Sequence, residues 1–330
     1  MSIKKAAICY LTRIPDGETI EFAEQLARDS RLSSNTDIYI MIDDNNYQIQ
    51  SNSLINFIQI NNNECITNGY HSSNKLEMNK DCISWDKALY YFCQVKQMNY
   101  SFVWLIEDDT FIPSVDAFVS LHEKYSKEGQ GDLICQRNEE NLYGNTSTWK
   151  WSDVVGKFSP PWYHSMVCAI GCSRKLLDTI ANYAQQKRFL PFIEYMFNTL
   201  AMQNHLKVVN PPELSTIVFR ENWTWEHIQQ RPNNWFHPFK NEHIRRDNRL
   251  KMANAWKAPP QNTEQMANVW QTPSQNTGYQ GNTQCQGQMP QYPYFMEPSY
   301  CPPPPPPPNS GNVISSLVYP PNVPPPYPPH

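Results

Sequence analysis

Short apolar runs alternate along residues 1–250 with segments whose apolar residues recur every three or four positions. Such runs predict buried strands, and the longer spacing predicts amphipathic helices. The predicted strands span residues 6–11, 37–42, 54–60, 102–106, 132–135 and 164–171. The predicted helices span residues 19–30, 84–98, 114–125 and 174–186. This alternation predicts an α/β fold with a mostly parallel sheet flanked by helices.

The strand over residues 102–106 ends in three consecutive carboxylates, Glu107, Asp108 and Asp109. Placing buried carboxylates together is unfavourable unless water or a cation compensates their charge. Ligands of open α/β sheets bind beyond the carboxyl ends of strands, and Mg²⁺ or Mn²⁺ prefers oxygen ligands. The pattern therefore predicts a metal–nucleotide site. The alternative is that Asp109 only caps the helix that follows.

The overall composition excludes several classes of protein. The net charge of −4 provides no basic patch for nucleic acid. No run of about 18 apolar residues predicts a membrane span, and no signal peptide is recognised. The nine cysteines are an odd number without a CxxC pair, which is typical of free thiols in a reducing compartment. We therefore expect a cytoplasmic protein, or one in the host cytoplasm or virion if the chain is viral.

Glycine-rich nucleotide-binding motifs are absent from the sequence. Neither GxGxxG nor GxxxxGK[ST] occurs, and the chain has only 11 glycines. A dinucleotide-binding enzyme or a P-loop NTPase is therefore not predicted. Phosphates would have to be held by a metal and by basic side chains.

The composition changes near residue 251. Residues 251–330 contain 20 of the 29 prolines, including the unbroken run 302–308. Such a segment cannot bury a core, so we predict a disordered Pro/Gln/Asn-rich tail after a domain over residues 1–250. The tail could also serve as a ligand for proline-recognition domains.

The first half of the chain resembles GT-A fold glycosyltransferases, in particular the N-acetylglucosaminyltransferase I-like group with its Glu-Asp-Asp metal motif. The matching segments are 12–15 (TRIP), 42–44 (IDD), 85–89 (WDKAL) and 103–118. The abundance of Asn, Ile and Tyr is also similar to that of glycosyltransferases of large DNA viruses. The resemblance covers roughly residues 5–125.

This resemblance implies a binding site for a nucleotide sugar. Arg13 would contact the donor diphosphate, since a guanidinium binds phosphate oxygens well. Asp43 or Asp44 would accept a hydrogen bond from uracil, and Lys87 would be a further nucleotide-sugar contact. The alternatives are a surface arginine and a turn-forming aspartate before Asn45.

The resemblance also implies a metal site at the acidic strand end. Asp109 would ligate Mn²⁺ or Mg²⁺ directly, while Glu107 and Asp108 would hold metal-bound water or the donor, and Asp108 could itself be a ligand. Some GT-A enzymes bring a late histidine to the cation, for which His237 is the candidate. The alternative is a packed histidine among the aromatic residues around Trp235, which could be core or a sugar-stacking surface.

Two residues of the second half are candidates for the chemistry itself. Glu194 lies among apolar residues, which would raise its pKa towards that of a general base for the acceptor hydroxyl. An exposed helical glutamate is the alternative. Lys240 could neutralise the departing UDP.

These expectations together predict a metal-dependent glycosyltransferase. It would transfer a hexosyl or N-acetylhexosaminyl group from a nucleotide sugar, UDP-linked, to a hydroxyl of a glycan or protein. The alternatives are a nucleotidyltransferase, and a degenerate transferase domain that acts as a scaffold for the proline-rich tail. A glycoside hydrolase using Glu107 and Asp109 is disfavoured, because such enzymes usually draw their carboxylates from separate elements.

Overall fold

The computed structural model describes residues 5–49, 51–74, 82–95 and 100–257. Its main feature is a sheet of seven strands in the order β3-β2-β1-β4-β8-β5-β9. These strands are β1 (Lys5–Thr12), β2 (Thr36–Ile42), β3 (Asn56–Gln59), β4 (Tyr100–Glu107), β5 (Leu133–Ile134), β8 (Ala169–Ser173) and β9 (Val208–Val209). A separate antiparallel pair consists of β6 (Glu139–Asn141) and β7 (Trp162–His164).

Strand β8 is antiparallel to its neighbours β4 and β5, whereas the other paired strands of the large sheet are parallel. The register pairs Thr12 with Ile42, and Leu11 with Glu107. The carboxyl ends of β1, β2 and β4 therefore meet at one edge. The predicted α/β class with a mostly parallel sheet is confirmed.

Helices pack on both faces of this sheet. They are α1 (Gly17–Arg28), α2 (Asn62–Thr67), α3 (Ser84–Tyr90), α4 (Val115–Tyr125), α5 (Arg174–Lys187), α6 (Ile193–Gln203), α7 (Trp225–Gln230) and α8 (Glu242–Lys257). Alternate residues of β4 enter two different cores, Val103 and Leu105 on one face and Trp104 and Ile106 on the other. The period of two explains why this strand is apolar throughout, since both of its faces are covered.

Some predicted elements differ from those observed. The helix expected over 84–98 is α3 followed by a π-helical turn, Tyr91–Val95, and residues 96–99 lie outside the described part. The strand expected over 164–171 is wrong, because the chain leaves β7 at His164 and enters β8 only at Ala169. The linking residues are also buried, among them Val167, so hydrophobicity alone does not reveal the break.

The aromatic residues near the end of the domain belong mainly to the core. Trp235 and Phe236 are fully buried, while Trp223 and Trp225 are partly buried and pack against Phe236 and its neighbours. The core interpretation is confirmed for Trp235 and Phe236.

The seven cysteines within the described residues are free and buried, in agreement with the expected free thiols. Cys285 and Cys301 lie outside the described residues.

Helix α8 continues through Lys257 and so includes the residues at which the composition changes. The predicted tail beyond it lies outside the described residues, and its disorder and its proline-recognition partner stay predictions. In the described part of the chain, no helix is both long and apolar enough to cross a membrane. The expected location in the cytoplasm also stays a prediction.

Candidate functional site

The acidic strand end is anchored by backbone hydrogen bonds on both sides. The Glu107 N–H donates to the Cys168 carbonyl at 2.8 Å, and the Asp108 N–H donates to the Leu11 carbonyl at 3.1 Å. The chain then turns, with the Thr110 N–H donating to the Glu107 carbonyl at 2.9 Å. The carboxylates thus start from a rigid sheet edge at the position where ligands bind in open α/β folds.

His237 meets two of these three carboxylates. Its Nε2 lies 3.2 Å from Asp109 Oδ1 and 3.7 Å from Glu107 Oε2. The histidine is brought there by a late segment that pairs with the strand end, since Phe111 and Phe236 form a β-bridge and the Phe239 N–H donates to the Asp109 carbonyl at 2.7 Å. Residues far apart in sequence therefore converge on one point.

Neighbouring groups orient the ligand atoms. The His237 Nδ1 lies 2.8 Å from the Val218 carbonyl, so Nδ1 carries the proton that it donates and Nε2 faces the carboxylates. The Trp85 indole N–H donates to Glu107 Oε1 at 2.8 Å, which leaves Oε2 towards His237. Histidines that bind metals usually donate their other N–H to a carbonyl or carboxylate in this way. His237 Nε2 is therefore held facing both Asp109 and Glu107.

The charges of the cluster shift its pKa values. Burial and the charge of Asp109 raise the pKa of Glu107, and His237 and Trp85 only partly offset this. Burial works to raise the pKa of Asp109, but the hydrogen bond and charge of His237 lower it overall, with a contribution from Lys240. Burial opposes protonation of His237, but Asp109 outweighs it and the pKa of His237 is raised. The opposite shifts of Asp109 and His237 show that the two groups stabilise each other as an ion pair, and a cation bound there would compete with the proton of His237.

Asp108 faces away from His237. Its Oδ2 accepts a hydrogen bond from the Thr12 hydroxyl at the end of β1. Burial raises the pKa of Asp108 to about 6. The structure thus separates Asp108 from the Glu107–Asp109–His237 cluster, and direct ligation of a metal by Asp108 stays a prediction.

A cleft of about 270 Å³ lies on the β1 and β2 side of the cluster. Arg13 and Asp43 line it together with all three carboxylates of the strand end. Arg13 is exposed. The cleft therefore brings together a free-standing guanidinium and the acidic cluster, as the predicted diphosphate contact requires.

Asp44 and Lys87 have local roles in this structure. Asp44 Oδ1 accepts from the Asn46 N–H at 2.8 Å, which is the turn contact named as its alternative. Lys87 is fully buried and binds the Asp43 carboxylate at 3.1 Å and the Asn45 side-chain oxygen at 3.0 Å. Lys87 therefore holds the loop after β2 in place, and a direct nucleotide contact by either residue stays a prediction.

A second cleft, of about 850 Å³, also adjoins the cluster. Glu107, Asp109 and His237 line it together with Glu194 and Lys240. Glu194 lies in the first turn of α6 and is not fully exposed; burial raises its pKa to about 7. Lys240 is exposed at the rim. Glu194 thus has the setting expected of a general base.

Sequence reasoning missed three contributors to the site. Trp85 and Thr12 stand inside the segments that carried the family resemblance, but nothing in the pattern showed that they would bind Glu107 and Asp108. Cys168 was interpreted as a core residue, which its burial confirms, yet it also lines the second cleft beside Glu107. Only the break between β7 and β8 places Cys168 there.

Comparison with known proteins gives structural neighbours only. No protein-family model matches the chain, and no curated protein matches it. Among solved structures, the galactosyltransferase LgtC in complex with donor and acceptor sugar analogues has a TM-score of 0.39 at 10% identity, covering 80% of this chain and 99% of LgtC. An active-site mutant of LgtC has a TM-score of 0.38 at 9% identity, covering 78% of this chain and 98% of its own.

The two neighbours are thus glycosyltransferase structures, but at these identities and scores they assign no activity to this chain. The resemblance to the N-acetylglucosaminyltransferase I-like group and the viral origin stay predictions.

Proposed function

We propose that this chain is a metal-dependent glycosyltransferase that moves a sugar from a nucleotide sugar to a hydroxyl acceptor. The observation that carries the proposal is the convergence of Glu107, Asp109 and His237 between two clefts. One cleft offers Arg13 and Asp43, and the other offers Glu194. A transferase has to bind a donor and an acceptor next to each other, and the two clefts would provide one place for each.

The donor would occupy the cleft beside β1 and β2. Its diphosphate would meet Arg13, while Asp43, fixed by Lys87, would accept a hydrogen bond from the base. A carboxylate acceptor at that point favours uracil, whose N3–H is a donor, and so a UDP-linked hexose or N-acetylhexosamine. Mn²⁺ or Mg²⁺, held by Asp109, Glu107 and His237, would supply positive charge to the diphosphate leaving group.

The acceptor would occupy the larger cleft. Glu194 would take the proton from the acceptor hydroxyl as that oxygen attacks the sugar carbon, which its raised pKa of about 7 favours. Lys240 at the rim would stabilise the diphosphate as it departs. A glycan or a protein hydroxyl fits the open shape of this cleft equally well.

The test is a thermal-shift measurement on the full chain with UDP-, GDP- and CMP-sugars, each with and without Mn²⁺. Stabilisation should be roughly 2.7 kcal/mol when ligand is about 100-fold above its Kd. We expect a shift with UDP-sugars that requires Mn²⁺. The absence of a shift with every nucleotide sugar would contradict the proposal and favour a non-catalytic scaffold.

A further inference from the structure

Cys168 is held rigidly beside the acidic strand end. Its carbonyl accepts the Glu107 N–H at 2.8 Å and the Thr110 hydroxyl at 3.2 Å, so its backbone cannot drift from the strand. Its side chain is only 6% exposed and lines the larger cleft. The thiol sulfur lies within 4.8 Å of a carboxylate oxygen of Glu107. The backbone contacts therefore fix the position of Cys168 in the wall of the larger cleft.

The sulfur shares this position with a histidine and a carboxylate. One ligand atom each from Glu107, Cys168 and His237 can be chosen so that all three lie within 4.8 Å of one another. Among the residues that the structure describes, no other set of three His, Cys, Asp or Glu side chains converges this closely. These three residues define an N/O/S cluster.

The chemistry of this cluster differs from that of a magnesium site. Mg²⁺ is bound mainly by oxygen, whereas a set of thiolate, imidazole and carboxylate is typical of Zn²⁺. We propose that the N/O/S cluster of Glu107, Cys168 and His237 binds Zn²⁺, with the larger cleft providing the open fourth position.

The distances fit this cation. Zinc bonds of about 2.0–2.3 Å in a tetrahedron place neighbouring ligand atoms roughly 3.3–3.8 Å apart. His237 Nε2 and Glu107 Oε2 are already 3.7 Å apart. The sulfur lies within 4.8 Å of the other two ligand atoms, so binding requires the thiol to move inward by up to roughly 1 Å. The proton of the thiol, and the proton that a charged His237 carries on Nε2, pass to solvent when the sulfur and the nitrogen become ligands.

The outer contacts are those of a prepared ligand set. The Val218 carbonyl holds the His237 ring, and the Trp85 indole holds the second oxygen of Glu107. Asp109 Oδ1 lies 3.2 Å from Nε2, the same ring nitrogen that would bind the zinc ion. Glu107 and His237 would be ligands of both cations, so zinc would compete with the Mn²⁺ of the proposed transfer reaction. This competition rests on the proposed function, whereas zinc binding itself does not.

The first test is zinc-edge X-ray absorption on the full chain with one equivalent of Zn²⁺ and no nucleotide sugar. Cys285 and Cys301 are replaced by serine so that they contribute no sulfur. We expect one sulfur at about 2.3 Å together with nitrogen or oxygen atoms at about 2.0–2.1 Å. A shell of nitrogen and oxygen alone would overturn the proposal, and this result needs no change at Cys168.

The second test is a Co²⁺ titration followed by the near-ultraviolet thiolate-to-cobalt absorption. The band should be present in the parent protein and disappear in Cys168→Ser, and zinc affinity should fall by more than the roughly 10–100-fold seen for outer partners. Cys172→Ser is the matched control, because Cys172 is equally free and buried but lies on β8 outside the cluster. An unchanged band in Cys168→Ser, or an equal loss in Cys172→Ser, would overturn the assignment.

Both tests are performed without a donor sugar. Zinc binding through sulfur together with no Mn²⁺-dependent nucleotide binding would uphold the zinc site and contradict only the transferase. Mn²⁺-dependent binding of a nucleotide sugar together with no zinc–sulfur bond would contradict only the zinc site.

Discussion

At His237 one hydrogen bond decides what the residue can do. With Nδ1 donating to Val218, Nε2 is the ring atom that faces the carboxylates of Glu107 and Asp109. A histidine that is merely packed among aromatic residues would not require this orientation. The same ring atom contacts Asp109 in this structure and is the one that would bind a cation in the proposed site.

Replacing Asp109 by alanine should abolish metal-dependent transfer. The change removes the carboxylate nearest to His237, while the backbone bond from Phe239 to residue 109 persists. Metal-dependent donor turnover should become undetectable, whereas far-ultraviolet circular dichroism should match the parent protein. Asp116→Ala is the control, since Asp116 is an exposed residue of α4 and should leave turnover unchanged. Normal turnover in the Asp109 variant would remove this residue from the metal site.

Glu194 should determine the acid side of the pH profile. Its pKa is raised to about 7 by burial, and a base acts only when deprotonated, so kcat/KM should rise with pH up to about 7 and then level off. Glu194→Gln should lower kcat/KM by about 10²–10⁴ and flatten this rise. Glu226→Gln, at an exposed position on α7, should keep the parental profile. A parental profile in Glu194→Gln would instead exclude Glu194 as the base.

A sequence can reveal those site residues that are neighbours along the chain. The carboxylates Glu107 to Asp109 follow one strand, so their place at the sheet edge could be predicted. The contact of His237 with Asp109 depends on a long-range β-bridge at Phe111 and Phe236, which no local pattern encodes. The burial of Lys87 was equally hidden, because a lysine in a helical pattern is ordinarily exposed.

At the scale of elements, α8 contacts both the start of α1 and the segment that contains His237. Arg245 is almost completely buried, binds Asp16 and Glu18 of the first helical turn, and donates to the Phe239 carbonyl at 2.6 Å. Arg249 adds an ion pair with Glu18. One helix therefore supports the position of His237 without touching it.

Arg245→Ala should destabilise the domain by about 3–5 kcal/mol, because it removes the buried partner of Asp16 and one of the two arginine partners of Glu18. Arg246→Ala is a closely matched control on the same helix. Arg246 is 43% exposed and its carboxylate contacts are 3.6 and 3.7 Å long, so its loss should change stability by less than about 1 kcal/mol. Urea unfolding of the two variants measures the difference, and equal losses would refute the buried role of Arg245.

Periodicity predicted the central elements well, because β1, β2, β4, α1 and α4 are long enough to repeat their pattern. It failed between β7 and β8, where residues 165–168 are largely buried but belong to no strand. There the chain bends to bond with other elements, since the Ser165 N–H donates to the Glu194 carbonyl at 2.9 Å. Tertiary contacts, not local preference, decide such a segment.

At the scale of the whole molecule, the last helix of the described domain, α8, continues past residue 250 to Lys257. A chain cut after Lys257 should keep the melting temperature of the full protein within about one degree, because no buried contact of the described domain is removed. A chain cut after Asn241 loses Arg245 and Arg249 and should melt several degrees lower. Calorimetry of the two truncations tests this, and a large loss in the first would show that the later residues stabilise the domain.

The pairing of Arg245 with Asp16 also has a consequence for how the protein is made. Synthesis delivers α1 and the acidic strand end early, and His237 and α8 only when the domain is nearly complete. Until then, the carboxylates of the first helix and of the strand end have no partner of opposite charge from the late segment. A product that terminates before α8 should therefore unfold more readily than the complete chain and be degraded faster.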